Sequence, residues 1–354
     1  MKKSLIALAV LATVTTVAQA QSSVTLSGRI DAGITSISKG NTAGDSNLVA
    51  QDSGLTTSRW QLDGKEDLGQ GMRAVFSLVS GFNAMTGAQG TSSVLFDRNA
   101  FVGIEQDGIG RLTLGRQESV GYDLMARFSP TSYSNTIEGG KVVDKQNVYG
   151  NSSTSADTDT VRSDNLVKYS GKFGGLQVML GYSLGGQAGD STAQSKFQVG
   201  ALYNAGIAEV VATFAKNNRD TVSNGVTTTV GDTEVTTYGL RVPVGALTLK
   251  ATYADSKIGN TTRSDAPEIE LTSFGATYAV NSNLDLTAFI YKKEVSGTSN
   301  YDQDTYGLMA EYKLSKRTKL YSHLANFKNS NNTALKSGFG PKTNVINAGI
   351  VHNF

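Results

Sequence analysis

Side chains that could perform catalysis are few in this sequence, and their spacing does not form a recognisable centre. Residues 181–185 spell G-x-S-x-G, the motif that places a serine nucleophile on a sharp turn between a strand and a helix. Ser183, however, falls on the polar side of a strand pattern, and no helical pattern follows it. A serine hydrolase also needs a histidine base. Because His352 lies on the apolar side of the last strand pattern and His323 on the polar side of another, we expect no Ser–His pair and no enzymatic activity.

Metal and nucleic-acid chemistry are also poorly supported. Asp157 and Asp159 suggest a divalent cation, but such a site needs more oxygen ligands than two carboxylates, so a solvated loop is the preferred interpretation. The sequence contains no cysteine, which excludes thiolate ligands and disulfides. Basic residues form no block or stripe. We therefore predict no metal, no cofactor and no nucleic-acid partner.

The first twenty residues have the pattern of a signal peptide. Lys2 and Lys3 precede an apolar run over residues 5–17, which is too short to span a membrane and ends in an A-x-A cleavage site at residues 18–20. We predict that residues 1–20 are removed and that residues 21–354 form one exported domain. Without the two leading lysines, acidic and basic residues are equal in number.

Strict alternation of apolar and polar residues recurs along the rest of the chain, as in strands with one apolar face. Each predicted strand has about the 9–11 residues that a tilted strand needs to cross hydrocarbon. Short turns alternate with longer polar loops, as in bacterial outer-membrane barrels. Sixteen strands are predicted, starting near residues 23, 56, 71, 95, 110, 162, 175, 195, 208, 233, 247, 268, 283, 303, 318 and 344.

The alternatives to a barrel are a soluble sandwich or a β-solenoid, which also alternate. Two observations favour a barrel. Aromatic residues end many apolar faces, where they would form a girdle at the membrane interface. The last strand also keeps its apolar face up to the final residue. The prediction is an all-β fold, a 16-stranded antiparallel up-and-down transmembrane β-barrel. The girdle residues are Tyr182, Tyr203, Tyr253, Tyr278, Tyr312 and Phe354.

One connection, residues 118–161, is far longer than the roughly 12–15 residues beyond which structureless loops are uncommon and usually functional or disordered. It has little strand or helix pattern, and we predict that it folds inward and narrows a pore. Arg59, Arg162 and Lys168 share the polar side of their strands and should point into the barrel. Arg98 is ambiguous, because its side of the strand also contains apolar residues; packing of the inward loop there would explain an apolar inner wall. Glu118, Asp123 and Glu138 in the loop would supply an opposing acidic side.

The sequence resembles the Gram-negative general diffusion porins of the beta-proteobacterial type along the whole mature chain. The resemblance implies a homotrimer of sixteen-stranded barrels, each constricted by its third external loop, which matches residues 118–161. It implies that Arg59, Arg98 and Arg162 match a basic cluster that makes some members prefer anions. It also implies that the barrel-assembly machinery reads the C-terminal Phe354. The matching segments are SVTLSG (23–28), SRW (58–60), GKEDLG (64–69), RNAFVG (98–103), LGRQ (114–117), RSDNLVKY (162–169), LSKRT (314–318) and VHNF (351–354).

The expected function is therefore passive diffusion of small hydrophilic solutes and ions through an outer-membrane channel, with a preference for anions. The expected surroundings are two further copies of the chain, outer-membrane lipid and lipopolysaccharide. Three alternatives stay open at this point. They are a substrate-specific porin, a surface protein that uses the barrel only as an anchor, and an outer-membrane hydrolase.

Overall fold

The computed structural model of the protein describes residues 22–39, 44–137, 161–259, 268–297, 301–330 and 342–354. The predicted signal peptide and Glu138 lie outside the described residues. Within these ranges the strands are β1 (Ser23–Ser38), β2 (Asn47–Asp52), β3 (Arg59–Gly69), β4 (Met72–Gly81), β5 (Asn99–Gln106), β6 (Gly110–Glu118), β7 (Arg162–Phe173), β8 (Leu176–Ser183), β9 (Lys196–Asn204), β10 (Glu209–Asn218), β11 (Thr221–Ser223), β12 (Val226–Thr228), β13 (Asp232–Val244), β14 (Leu247–Ile258), β15 (Glu268–Ala279), β16 (Leu284–Ser296), β17 (Tyr301–Lys313), β18 (Thr318–Asn329) and β19 (Lys342–Asn353). One helix, α1 (Val120–Met125), follows β6.

Sixteen of these strands close into a ring. Apart from β2, β11 and β12, each pairs antiparallel with the strand before and the strand after it. The ring closes because β1 pairs with β3 on one side, where Leu26 lies opposite Leu62, and with β19 on the other, where Ile30 lies opposite His352. A closed ring leaves no sheet edge unpaired. The predicted 16-stranded antiparallel barrel is confirmed.

Two features of the wall were not predicted. The hairpin of β11 and β12 lies apart from the ring. Strand β2 pairs with the C-terminal part of β1 at residues 32–37, while β3 pairs with its N-terminal part at residues 23–29.

Some predicted strand boundaries also differ from the structure. The second and fourth wall strands begin at Arg59 and Asn99, later than the predicted 56 and 95. The turn predicted at 66–70 is wrong, because β3 continues through a bulge to Gly69.

The two faces of the wall differ as the alternation predicted. On β1, Val24, Leu26 and Ile34 are exposed while Asp31 and Thr35, on the opposite face, are buried. Outward apolar side chains form the belt that lipid requires. On β5, Val102 and Ile104 are 59% and 44% exposed, so the expected apolar inner wall at this height is wrong. All six residues of the predicted aromatic girdle are exposed, namely Tyr182, Tyr203, Tyr253, Tyr278, Tyr312 and Phe354.

The long connection after β6 begins with a helix that the sequence did not indicate. The side chain of Ser119 caps α1 by accepting a hydrogen bond from the Tyr122 amide at 3.1 Å. Such a short helix is not stable by itself in water. Its stability comes from packing, since Val120, Leu124 and Met125 are buried in one apolar cluster with side chains of β8, β9 and β10. Among the described residues, no helix is long and apolar enough to cross a lipid bilayer.

Beyond α1, the described part of the loop follows the inner wall. Phe128 packs on Gly239 of β13 so closely that a Cβ there would lie 2.8 Å from the ring. Pro130 packs on Gly275 of β15 in the same way, at 2.5 Å. Glycine is needed at both points because a side chain would push the loop off the wall. Gly239 and Gly275 follow Tyr238 and Phe274, which are exposed on the outer face, so both glycines face the inside of the barrel. Residues 119–137 therefore lie in the lumen.

Candidate pore constriction

Four arginines from different elements converge on one side of the lumen. Arg29 and Arg59 lie opposite each other on β1 and β3, Arg98 directly precedes β5, and Arg162 opens β7. Arg59 and Arg98 each repel Arg162 and one another, and Arg29 repels Arg59. Arg98 points inward although its side of β5 is apolar, because β5 begins only at Asn99 and the strand alternation does not extend back to it. We call Arg29, Arg59, Arg98 and Arg162 the arginine cluster.

Hydrogen bonding satisfies this cluster only in part. Arg29 Nη1 donates to Thr56 Oγ1 at 2.8 Å, and Arg162 Nη2 lies 3.5 Å from Glu118 Oε1. Within the described part of the chain, the Nε atoms of Arg98 and Arg162 are buried without a hydrogen-bond partner. Buried guanidinium groups are normally paired. The cluster is therefore incompletely paired within the described part of the protein.

The loop faces this cluster with a tyrosine. Tyr122 of α1 lies near Arg29, Arg59 and Arg98. Its ring stacks on Tyr133 farther along the loop, with centroids 5.4 Å apart and planes 18° apart. The arginines stand on the wall and the stacked tyrosines on the loop. Sequence analysis missed both Arg29 and Tyr122; the place of Arg29 beside Asp31 on the polar side of β1 is a signal that could have found the first.

The predicted acidic side is not arranged as expected. Asp123 Oδ2 accepts a hydrogen bond from Lys168 Nζ at 2.7 Å, and Lys168 also donates to the Glu118 carbonyl at 2.8 Å. Burial raises the pKa of Asp123, and the Lys168 ammonium opposes that rise. Lys168 is only 8% exposed, so this pair attaches the loop to the wall instead of facing the arginines. Of the three predicted acids, Glu118 alone is seen to contact the cluster, since Glu138 lies outside the described residues.

Comparisons with known proteins agree with this architecture. A family model described as Gram-negative porin matches residues 7–332. The chain belongs to the Gram-negative porin family. It is 37% identical over 213 residues to an outer membrane porin protein of Bordetella pertussis, a match that covers 56% of this chain and only 52% of that relative.

A second relative aligns along nearly the whole porin. Outer membrane porin protein 32 of Delftia acidovorans is 31% identical over 348 residues, which cover 95% of this chain and 92% of that one. Among solved structures, an anion-selective porin from Comamonas acidovorans superposes with a TM-score of 0.80 at 24% identity, covering 94% of this chain and 100% of that chain. The relatives place this porin in the outer membrane.

One contact in this porin contradicts the expectation that no serine meets a histidine. Ser134 Oγ of the loop lies 3.4 Å from His323 Nδ1 of β18. Both side chains are wholly buried, and Ser134 Oγ also donates to the Gly54 carbonyl at 3.2 Å. The His323 Nε2 atom has no hydrogen-bond partner within the described ranges, so no acid is seen to orient the ring as a catalytic triad requires. The contact attaches the loop to the wall.

The other serine and histidine considered for hydrolytic chemistry, Ser183 and His352, lie on opposite faces of the barrel wall. His352 Nδ1 is 2.9 Å from Thr318 Oγ1 on the exposed face. Ser183 lies on the inner face of β8, and its Oγ has no hydrogen-bond partner among the described residues. Asp157 and Asp159 lie outside the described residues, so the preference for a solvated loop over a divalent-cation site there stays a prediction.

The C-terminal residue lies where the ring closes. Phe354 accepts a hydrogen bond from the Gly28 amide at 3.1 Å and donates one to the Gly28 carbonyl at 3.0 Å. Its ring covers Gly28 on the outer face, where a Cβ would lie 2.5 Å from the ring edge. The last residue of the chain thus joins the last strand to the first.

Proposed function

We propose that this porin is a water-filled channel for passive diffusion of small hydrophilic solutes and ions, that it prefers anions, and that it performs no chemical step. The observation that carries the proposal is the charge of the constriction. Four arginines face the lumen, and among the described residues Glu118 is the one acid within ion-pair distance of them, while Asp31, Asp63 and Asp97 each lie near one member of the cluster. Rings of arginine or lysine favour anions in pores.

The preference requires a narrow passage, because exposed charges are screened over about 8 Å at physiological ionic strength. Loop residues 118–161 are proposed to provide this narrowing. Their described part lies on the inner wall, and Tyr122 lies near three of the arginines. In this proposal Arg59, Arg98, Arg162 and Glu118 line the constriction together with Arg29. Asp123 and Lys168 hold the loop in place, and Glu138 stays a proposed lining residue.

The proposed assembly is a homotrimer in outer-membrane lipid and lipopolysaccharide, made after export with residues 1–20 as the leader. The exposed apolar belt supports burial against lipid and against further copies of the chain. Phe354 is proposed as the signal that the barrel-assembly machinery reads. Its position supports this role, since the ring is exposed at the place where the first and last strands join.

The first experiment is the reversal potential across a planar bilayer under a salt gradient. The wild type is compared with the double variant Arg98→Gln, Arg162→Gln. As a matched control, Arg73→Gln removes an inward arginine that lies apart from the cluster. The Nε atom of Arg73 is paired with Glu105 Oε1 at 3.0 Å. We expect an anion-favouring potential in the wild type and the control, and a smaller one in the double variant.

Each other outcome has a definite meaning. Equal potentials in all three proteins would reject the arginine cluster as the source of selectivity and keep the channel. Absence of conductance in the wild type would reject the channel itself and favour the anchor or hydrolase alternative.

A further inference from the structure

The barrel wall is interrupted at one point beside the arginine cluster. Strand β1 pairs with β2 through residues 32–37 and with β3 through residues 23–29, so Ile30 and Asp31 have no strand partner on that side. The chain between β2 and β3 instead turns into the lumen over residues 53–58. We call residues 53–58 the inturned segment. Its Ser53, Gly54, Leu55 and Ser58 are buried.

The backbone of Asp31 is paired with the inturned segment instead, since its carbonyl accepts from the Ser53 amide at 2.9 Å and its amide donates to Ser58 Oγ at 3.0 Å. The carboxylate of Asp31 adds contacts to the centre of the segment. Asp31 Oδ2 accepts hydrogen bonds from the amides of Leu55 at 2.8 Å and Thr56 at 2.6 Å. Asp31 Oδ1 accepts another from the Tyr321 hydroxyl, which reaches across from β18 at 2.6 Å. Asp31 is 0% exposed. A buried carboxylate is tolerated only when donors surround it, and hydrogen bonds to a charged acceptor are stronger than neutral ones. The inturned segment is therefore held firmly at its centre.

The same segment is joined to both sides of the constriction. On the wall side, Thr56 Oγ1 accepts the hydrogen bond from Arg29, and Arg59 follows Ser58 directly. On the loop side, the Gly54 carbonyl accepts from the Thr136 amide at 2.9 Å, from Thr136 Oγ1 at 2.7 Å and from Ser134 Oγ at 3.2 Å. Asn135 Nδ2 between them donates to the Ser53 carbonyl at 2.9 Å, so the inturned segment receives the far end of the described loop. Movement of the segment would displace arginines and loop together.

We propose that the inturned segment is a second constriction element, and that Asp31 is the positioning residue that fixes the spacing between the arginine cluster and the loop. The inference rests on the proposed channel function. Two rival explanations make different predictions. If Asp31 acts by its negative charge, neutralising it should strengthen the anion preference. If it acts only on barrel stability, ion selectivity of the folded protein should not change.

Two substitutions at Asp31 separate these explanations. Asp31→Asn keeps an oxygen acceptor of the same shape for the Leu55 and Thr56 amides, whereas Asp31→Ala leaves both amides without it. We expect Asp31→Ala to raise single-channel conductance and to lower the anion-to-cation permeability ratio by about twofold or more, because a wider passage screens its charges better. Asp31→Asn should retain the wild-type ratio. A ratio that rises equally in both variants would overturn the proposal, as would a wild-type ratio in Asp31→Ala.

The loop side offers a test that does not depend on Asp31→Ala folding. The double variant Ser134→Ala, Thr136→Val removes both hydroxyl contacts to the Gly54 carbonyl and should lower the permeability ratio in the same direction. Tyr321→Phe removes one donor from Asp31 and should show a smaller loss. Tyr253→Phe is its control, since that hydroxyl bonds Glu270 on the exposed face. Wild-type selectivity in the loop double variant would overturn the inference, while the wild-type reversal potential judges the channel function separately.

Discussion

The two ends of the described loop are attached to the barrel by different combinations of contacts. At the α1 end, Val120, Leu124 and Phe128 are almost wholly buried against β8 to β13. At the far end, Ile137 is buried in a second apolar cluster that includes Leu55, and Ser134 and Thr136 add hydrogen bonds to the Gly54 carbonyl. Apolar burial is insensitive to direction, while hydrogen bonds require particular distances and angles. We infer that the α1 end keeps the loop in the lumen and that the far end sets how wide the passage is.

Removing the apolar attachment should have the largest effect. Phe128 is 0% exposed and fills the space above Gly239. Phe128→Ala should cost about 3–5 kcal/mol of the free energy that docks the loop, the usual penalty for emptying such a site. The expected results are faster protease cleavage within residues 119–137 of the folded protein and larger, noisier single-channel currents. Phe197→Ala is the matched control, because Phe197 is exposed on the outer face of β9. Equal cleavage rates in both variants would contradict the assignment.

Breaking the ion pair at the same end should have a smaller effect. Lys168→Met removes the partner of Asp123 and the donor to the Glu118 carbonyl. The loss should be about 2 kcal/mol of loop docking, because the pair is only partly buried and a fully buried pair would cost more. The measurement is again protease cleavage of the loop in the folded protein. The double variant Lys168→Met, Asp123→Asn should recover part of the loss, since it removes the unpaired charge. Failure of this rescue would show that Lys168 acts by packing alone.

How much the sequence predicts depends on whether the determining contact is local. Alternation along single strands predicted the barrel and its exposed face, because each side chain's direction is fixed by its own strand. The pairing of Asp123 with Lys168 was not predictable in this way, since it depends on the path that the loop takes. Strand alternation also left the orientation of Arg98 ambiguous, because Arg98 lies just outside the regular part of β5.

The inturned segment shows the same limit more clearly. Asp31 falls on the polar side of β1, so an inward direction agrees with its sequence position. Its three donors, however, come from residues 55, 56 and 321, and no sequence pattern links these to residue 31. Long-range hydrogen bonds of this kind are specified by the assembled barrel.

Acidity should tighten the α1 attachment by a moderate amount. Burial raises the pKa of Asp123 in the docked loop above that of a free carboxyl, about 3.9. A group with a raised pKa favours the docked state at low pH, and this contribution is lost as pH rises through the raised value. Open-channel current noise should therefore increase as pH rises from about 4 through the raised pKa of Asp123. Asp123→Asn should abolish the dependence. Lys168→Met should extend it to higher pH, because the ammonium that opposes the rise is gone. Noise that falls with rising pH would contradict this account.

The smallest effect should come from substituting Arg29, which already donates a hydrogen bond to Thr56 of the inturned segment. Arg29→Gln and Arg98→Gln each remove one positive charge from the same cluster, so equal shifts in reversal potential would follow if charge alone mattered. Arg29, however, donates to Thr56, while the Nε of Arg98 has no partner among the described residues. Thr56 therefore already uses part of the donor capacity of Arg29, so an anion feels Arg29 mainly through screened Coulomb attraction. We therefore expect Arg29→Gln to shift the reversal potential by about half as much as Arg98→Gln or less. A larger shift in Arg29→Gln would mean that the inturned segment moves when its hydrogen bond to Arg29 is lost. The wall side of this segment would then contribute to the width of the passage as much as the loop side does.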